Sequence, residues 1–93
     1  MWLITKDRIS NSNEESRVGV CSMGFTMKRM EKAKEKKRWF KFRMKDGDGN
    51  VYYEGFCDSN DDESAFAPLD DFGEPDAGCC SIEYWNGRRF EQL

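Results

Sequence analysis

The chain has 93 residues, with 38% hydrophobic and 35% charged, so it can build one small globular domain around a thin core. It contains no histidine, which excludes Ser-His and Cys-His catalysis and every His-ligated metal site. No apolar run approaches the roughly 20 residues of a spanning helix, and the N-terminus lacks a signal-peptide pattern. We therefore expect a cytoplasmic protein with a single domain, residues 1–93.

Two N-terminal strands are predicted. Trp2–Lys6 and Arg17–Met23 are short runs with apolar residues in strand-like spacing, and the second would place Val18 and Val20 on one face. The Ser- and Asn-rich residues 10–13 between them predict a loop.

The next segment is strongly basic. Residues 26–37 are good helix formers, but their apolar stripe consists only of Met27, Met30 and Ala33. So thin a stripe anchors a helix poorly, and a solvated helix and a mobile loop remain open alternatives. We therefore describe residues 24–37 as a basic helical or mobile insertion.

Residues 38–57 predict a β-hairpin with Asp48-Gly49 as a two-residue loop. A slip by one residue would destroy the apolar face and the charge pairing of this register together. The apolar face pairs Met44 with Tyr53, Phe42 with Gly55 and Phe40 with Cys57, and it includes Val51. The other face pairs Arg43 with Glu54 and Lys45 with Tyr52.

The C-terminal part begins with a turn-rich connection and ends in a second hairpin. Residues 61–67 predict a short helical turn that ends at Pro68, after which Leu69 and Phe72 would plug one end of the core. For residues 80–93, we expect a three-residue loop with a left-handed Gly87. This loop, Trp85-Asn86-Gly87, opposes Ile82 to Phe90 and Glu83 to Arg89.

These elements predict a mostly β fold with a minor helical part. We expect a small antiparallel barrel or curved sheet of about five to six strands, with at most one or two short helices. The choice between an SH3-like or OB-like barrel and an open sheet stays open at this stage.

The sequence contains no recognisable catalytic or cofactor motif. Residues 46–50 resemble the start of a calcium loop, but Val51 and Cys57 replace the glycine and glutamate that such a loop needs. The cysteines have no C-x-x-C spacing, and adjacent Cys79 and Cys80 would face opposite sides of a strand. We expect four free thiols, no metal, no cofactor and no enzyme activity.

The outer side of the central hairpin is the candidate binding face, since cations alternate there with aromatic rings. Single-stranded nucleic acid binders use such a face, with cations along the phosphates and rings stacked on the bases. The alternative is that the rings cover a second cluster or a protein interface while the lysines stay solvated. The residues of this face are Trp39, Lys41, Arg43, Lys45, Tyr52, Glu54 and Phe56.

Charge is unevenly distributed along the chain. Residues 28–45 carry ten Lys or Arg against two Glu, whereas residues 46–76 carry eleven Asp or Glu and no Lys or Arg. Such stretches can bind partners or neutralise each other within one fold. We favour neutralisation within the fold.

Four segments, residues 2–8, 17–20, 48–55 and 68–79, resemble stretches of small uncharacterised bacterial proteins. Such proteins are encoded on mobile elements, namely plasmids, phages and integron gene cassettes. The resemblance covers most of the chain and marks residues 24–37 as an insertion. It implies an inhibitor or adaptor that acts by binding a host protein, and it assigns no site residue.

Together, these observations favour a small non-enzymatic protein-binding module, with single-stranded nucleic acid binding as the alternative function. A homodimer is also expected, because Trp39, Tyr52 and Phe56 would be costly to expose together and an open sheet leaves unpaired edges. The basic stretch of one subunit could then lie against the acidic stretch of the other.

Overall fold

The computed structural model describes residues 1–9, 18–21, 28–29, 32, 39–60 and 63–93. Within these ranges the chain forms a five-stranded antiparallel sheet with the strand order β1-β3-β2-β4-β5. The strands are β1 (Trp2–Asp7), β2 (Phe40–Lys45), β3 (Val51–Cys57), β4 (Ser81–Trp85) and β5 (Phe90–Gln92). The predicted mostly β fold is confirmed, and the sheet is open, with β1 and β5 at its edges.

A bent helix, α1, spans residues 63–77 and changes geometry along its length. It begins as a 3-10 turn (Glu63–Phe66), passes through a π turn (Leu69–Gly73) and ends as an α turn (Glu74–Ala77). Pro75 has no N–H to donate, and the N–H of Glu74 reaches back five residues to the carbonyl of Leu69. The predicted helix end at Pro68 was wrong, since Pro68 has φ −59° and ψ −38° and the helix continues through it.

Helix α1 covers one face of the sheet, which we call the inner face, and the core lies between them. Tyr84 joins the two layers, because its hydroxyl donates a 2.7 Å hydrogen bond to the carbonyl of Ala65. Phe72 packs against Tyr53 with ring centroids 4.9 Å apart, so its predicted place in the core is confirmed. The buried core residues are Trp2, Ile4, Phe42, Met44, Tyr53, Cys57, Ala65, Leu69, Cys79, Ile82 and Tyr84.

The central hairpin has the predicted register over most of its length, from Phe40 opposite Cys57 to Met44 opposite Tyr53. Beyond Met44 the register shifts, so Lys45 pairs with Val51, and the predicted pairing of Lys45 with Tyr52 was wrong. The extra residue in β3 is Tyr52, which packs against the core. A one-residue bulge of this kind moves the following side chains relative to the faces of the sheet.

The loop of this hairpin is wider than the predicted two residues, because Asp46 organises it. The Asp46 carboxylate accepts hydrogen bonds from the N–H of Asp48 at 2.9 Å and of Asn50 at 2.8 Å. The turn then closes at Gly49, whose φ of +88° lies in the left-handed region. This ring of hydrogen bonds accounts for the register shift.

The C-terminal hairpin lies at the predicted position, but its predicted register was wrong. Its strands pair Trp85 with Phe90 and Glu83 with Gln92, so the loop comprises residues 86–89. The side chain of Asn86 accepts the N–H groups of Arg88 at 2.8 Å and Arg89 at 2.9 Å, which stabilises this longer loop. Gly87 is left-handed as predicted, with φ +98°.

At the N-terminus, β1 is confirmed, whereas the second predicted strand is wrong over its described part. Val18 and Gly19 form a turn, and Cys21 makes only an isolated bridge to Leu3. Val18 is 48% exposed while Val20 packs against the core, so the two do not share a face. Hydrogen bonds hold this turn to the outer edge of β1, since Ile4 bonds both Gly19 and Val20 at 2.8 Å.

Three residues of the basic segment 24–37 are described, and Lys28, Arg29 and Lys32 are helical and exposed. The remaining predictions for this segment, including the stripe of Met27, Met30 and Ala33, lie outside the described residues. The insertion therefore stays a prediction. Across the described ranges, no helix has the length and apolar character required to cross a bilayer.

Candidate binding groove on the outer sheet face

The outer face of the sheet, opposite α1, collects side chains from four strands. Strand pairing places Lys41 beside Phe56, Arg43 between Glu54 and Glu83, and Trp85 beside Phe90. Alternation along each strand puts these side chains on the face away from the core. The candidate residues from β2 thus lie beside β4, and β5 lies on the far side of β4. The sequence analysis did not connect either strand to them.

Ion pairs hold two of the three β2 cations on this face. The Nε of Arg43 lies 2.5 Å from Oε1 of Glu83, and the Nζ of Lys45 lies 3.4 Å from Oε2 of the same residue. The guanidinium of Arg43 also stacks 4.1 Å from the centre of the Phe90 ring. One carboxylate thus compensates part of the positive charge at the centre of the face.

The carboxylate of Glu54 is also paired, since its Oε2 lies 2.6 Å from Nε of Arg8. These ion pairs differ from the neutralisation expected between the basic and acidic stretches. The partner Glu83 lies outside the acidic stretch, and the partner Arg8 lies outside the basic stretch. The charges of Arg43, Lys45 and Glu54 are therefore paired with residues in or next to other strands.

Tyr52 does not join the other candidate residues, because the bulge sends its ring against the core. Its hydroxyl bonds the Asp46 carboxylate, and this bond raises the pKa of Tyr52. Hydrogen bonds from Asn50 in turn lower the pKa of the Asp46 carboxyl. Tyr52, a residue of β3, thus interacts with Asp46 of the hairpin loop and not with the outer face.

Three candidate residues, Trp39, Lys41 and Phe56, meet at one end of the outer face and line an open groove of about 410 Å³. Trp85 supplies a further ring, which is 42% exposed and packs edge-on against Phe90 at 5.3 Å. The full lining consists of Trp39, Phe40, Lys41, Phe56, Asn60, Trp85, Asn86 and Gly87. We call this site the aromatic groove.

Two polar groups give the aromatic groove its chemistry. Lys41 is exposed and is the charged member of the lining, and it makes no ion pair with the residues that the structure describes. The indole N–H of Trp39 is buried and has no hydrogen-bond acceptor within the same described part of the chain. To a partner, the groove therefore offers apolar rings and one cation.

Sequence reasoning missed Trp85 and Asn86 as site residues because it placed both in the hairpin loop. One signal was available, since buried Ile82 and Tyr84 alternate with Glu83 and Trp85 along a single strand. That alternation assigns Trp85 to the same face as Glu83. The pairing of β2 with β4 had no local signal, because about 40 residues separate these strands.

Comparisons with known proteins add no assignment. No protein family, curated protein or solved structure matches this chain. The resemblance to proteins of mobile elements therefore stays a prediction.

Proposed function

We propose that the protein is a small non-enzymatic binding module whose aromatic groove takes an acidic segment of a partner protein. The observation that carries the proposal is Lys41, which has no ion pair with the described residues and lies among the rings of Trp39, Phe56 and Trp85. Aromatic residues dominate the energetics of protein contacts, and a single charge that loses its water on binding selects a partner group of opposite charge.

The chemistry of the groove specifies two features of this segment. An apolar or aromatic side chain would fill the space between the rings, and a neighbouring carboxylate would pair with Lys41. The mobile-element resemblance would make this partner a host protein.

Charge pairing disfavours the alternative function, single-stranded nucleic acid binding. A binder of that kind needs several unpaired cations along the phosphate path. Arg43 and Lys45 are both paired with Glu83, which leaves Lys41 as the unpaired cation of this face in the described part of the chain. One cation with several rings fits an acidic peptide better than a polyphosphate.

A second copy of the chain is the competing occupant, as the expected homodimer would place it on the same face. Trp85 and Phe56 would then meet their copies across a twofold axis. In that arrangement the two Lys41 ammonium groups would also approach each other, and this repulsion favours the acidic partner.

The test uses two synthetic peptides that share a central Phe-Leu pair, one flanked by Asp and Glu and the other by Lys. Binding is followed by NMR through the indole signals of Trp39 and Trp85. We expect saturable shifts with the acidic peptide alone. Lys41→Met should remove them, whereas Lys6→Met, an exposed lysine outside the groove lining, should leave them unchanged.

Two further measurements address the other occupants. Salt-sensitive binding of oligo(dT) that Lys41→Met abolishes would overturn the proposal in favour of nucleic acid. A dimer in sedimentation at micromolar concentration that Trp85→Ala converts to monomer would assign the groove to a second copy. Equal binding of both peptides would also contradict the proposal.

A further inference from the structure

A second cavity, separate from the aromatic groove, lies between the start of β1 and the π turn of α1. Its volume is about 690 Å³, within the range of small-molecule sites. The lining residues are Trp2, Val20, Cys21, Asp70, Asp71 and Phe72. None of them lines the aromatic groove.

Aromatic rings form the inner wall of this cavity. Trp2 and Phe72 contact each other with ring centroids 5.9 Å apart and an interplanar angle of 40°. Trp2 is 6% exposed, and Phe72 is held from behind by Tyr53, so both rings are fixed by the core. A ligand would therefore meet a preformed wall with little cost of ordering.

Negative charge lies at the mouth of the cavity. Asp70 and Asp71 are exposed, adjacent residues of the π turn, and both line the cavity. The whole of α1 carries five Asp or Glu and no Lys or Arg, so no cation of the helix compensates them. These two carboxylates attract cations and repel anions.

From this combination we infer that the cavity binds a small aromatic amine in its protonated form. The ammonium group pairs with Asp70 and Asp71, and the aryl ring packs on Trp2 and Phe72. Among the residues that the structure describes, this lining contains no cation that could pair with a carboxylate or phosphate ligand. The aromatic groove, with Lys41, has the opposite preference.

Three probes that share one ring and differ in charge test this inference, namely benzylammonium, benzyl alcohol and benzoate. Binding is measured by NMR at the indole signal of Trp2. Benzylammonium should saturate this signal, benzyl alcohol should bind about tenfold more weakly, and benzoate should not bind. Equal affinities for the three probes, or no saturable binding of benzylammonium, would overturn the inference.

Substitutions then identify the site. Asp70→Asn with Asp71→Asn should reduce benzylammonium to the affinity of benzyl alcohol and leave benzyl alcohol itself unchanged. Glu74→Gln is the matched control, because Glu74 is an exposed carboxylate of the same helix that does not line the cavity. Because these positions are exposed, the substitutions should leave the core intact, and the unfolding midpoint of each variant should stay unchanged. An equal loss in the control would also contradict the inference.

Discussion

Arg43 of β2 and Glu83 of β4 form an ion pair across two adjacent strands, with 2.5 Å between Nε and Oε1. The other oxygen of Glu83 lies 3.4 Å from Nζ of Lys45, so one carboxylate serves two cations. The charge of the outer face therefore depends on Glu83. This dependence explains why a strand as basic as β2 does not present a continuous cationic track.

Glu83→Gln should release Arg43 and Lys45 from their ion pairs and give the outer face affinity for single-stranded nucleic acid. Because both partners are partly shielded, the loss of the pair should cost at most about 1 kcal/mol of stability. We expect weak binding of oligo(dT) that falls steeply with salt, measured by fluorescence anisotropy at two ionic strengths. Glu74→Gln, an equal charge change at an exposed residue of α1, should give no such gain.

Phe42→Ala should cost about 3 to 5 kcal/mol of unfolding free energy. The ring is fully buried and lies 5.8 Å from that of Tyr84 at the centre of the inner face. Lys41→Ala should have little effect, because Lys41 is exposed on the other face. Urea unfolding of both variants makes the comparison, and equal losses would mean that the faces are reversed.

The central hairpin was predictable because local signals agree over its length. Alternating Phe40, Phe42 and Met44 and the pairing of Arg43 with Glu54 require one register, and the structure has it from Phe40 to Met44. The bulge at Tyr52 was not predictable from alternation, since it arises from hydrogen bonds to the side chain of Asp46. Side-chain hydrogen bonds in loops change registers without changing the apolar pattern.

Helix α1 was predictable only in part. Its residues include Pro68, Gly73 and Pro75, which normally indicate turns, and its α-helical section has four residues. The helix persists because its apolar residues pack on the sheet, a tertiary contribution that outweighs poor propensity. The aromatic groove was also predictable only in part. The predicted hairpin brings Trp39, Lys41 and Phe56 together, whereas Trp85 reaches them through the pairing of β2 with β4, which are far apart in sequence.

Tyr84→Phe should destabilise the domain by about 1 to 3 kcal/mol, because it leaves the carbonyl of Ala65 without its buried donor. Tyr52→Phe is the control, as it removes a solvent-accessible bond to Asp46 and should change stability little. Thermal unfolding followed by circular dichroism measures both. A smaller loss for Tyr84→Phe than for Tyr52→Phe would contradict this role in joining helix and sheet.

Cys79 should make stability fall at alkaline pH. Burial raises the pKa of its thiol from 9.0 to about 11, and the nearby charge of Cys80 adds to this effect. Because the pKa of Cys79 is higher in the folded than in the unfolded state, its contribution to the free energy of unfolding is complete below pH 9. This contribution is lost as the pH rises towards 11. Unfolding midpoints of the wild type and of Cys79→Ala are compared across this pH range. If both proteins lose stability with pH at the same rate, the Cys79 thiol is not the cause.

The same pair of cysteines should differ in reactivity. Cys80 is exposed, whereas Cys79 is 2% exposed and holds its proton more strongly. Iodoacetamide at mildly alkaline pH should therefore modify Cys80 in the folded protein and Cys79 only after unfolding. Peptide mapping by mass spectrometry resolves the two sites, and early modification of Cys79 would contradict its buried position.

Gly55→Ala should prevent the normal pairing of β1 with β3. A Cβ at this position would overlap the carbonyl oxygen of Leu3 and would lie 2.8 Å from Cζ of Phe42. The first contact is with backbone, which cannot rotate away, so we expect a loss of at least about 3 kcal/mol.

Gly47→Ala provides the matched control for this prediction. Gly47 is exposed in the hairpin loop, and the nearest atom to its added Cβ is Sγ of Cys80 at 3.8 Å, an ordinary van der Waals distance. Its backbone lies outside the left-handed region, so alanine should be neutral or slightly stabilising through the unfolded chain. Guanidinium unfolding of the two variants should give opposite or widely different shifts, and a tolerated Gly55→Ala would contradict the close approach of β1 and β3.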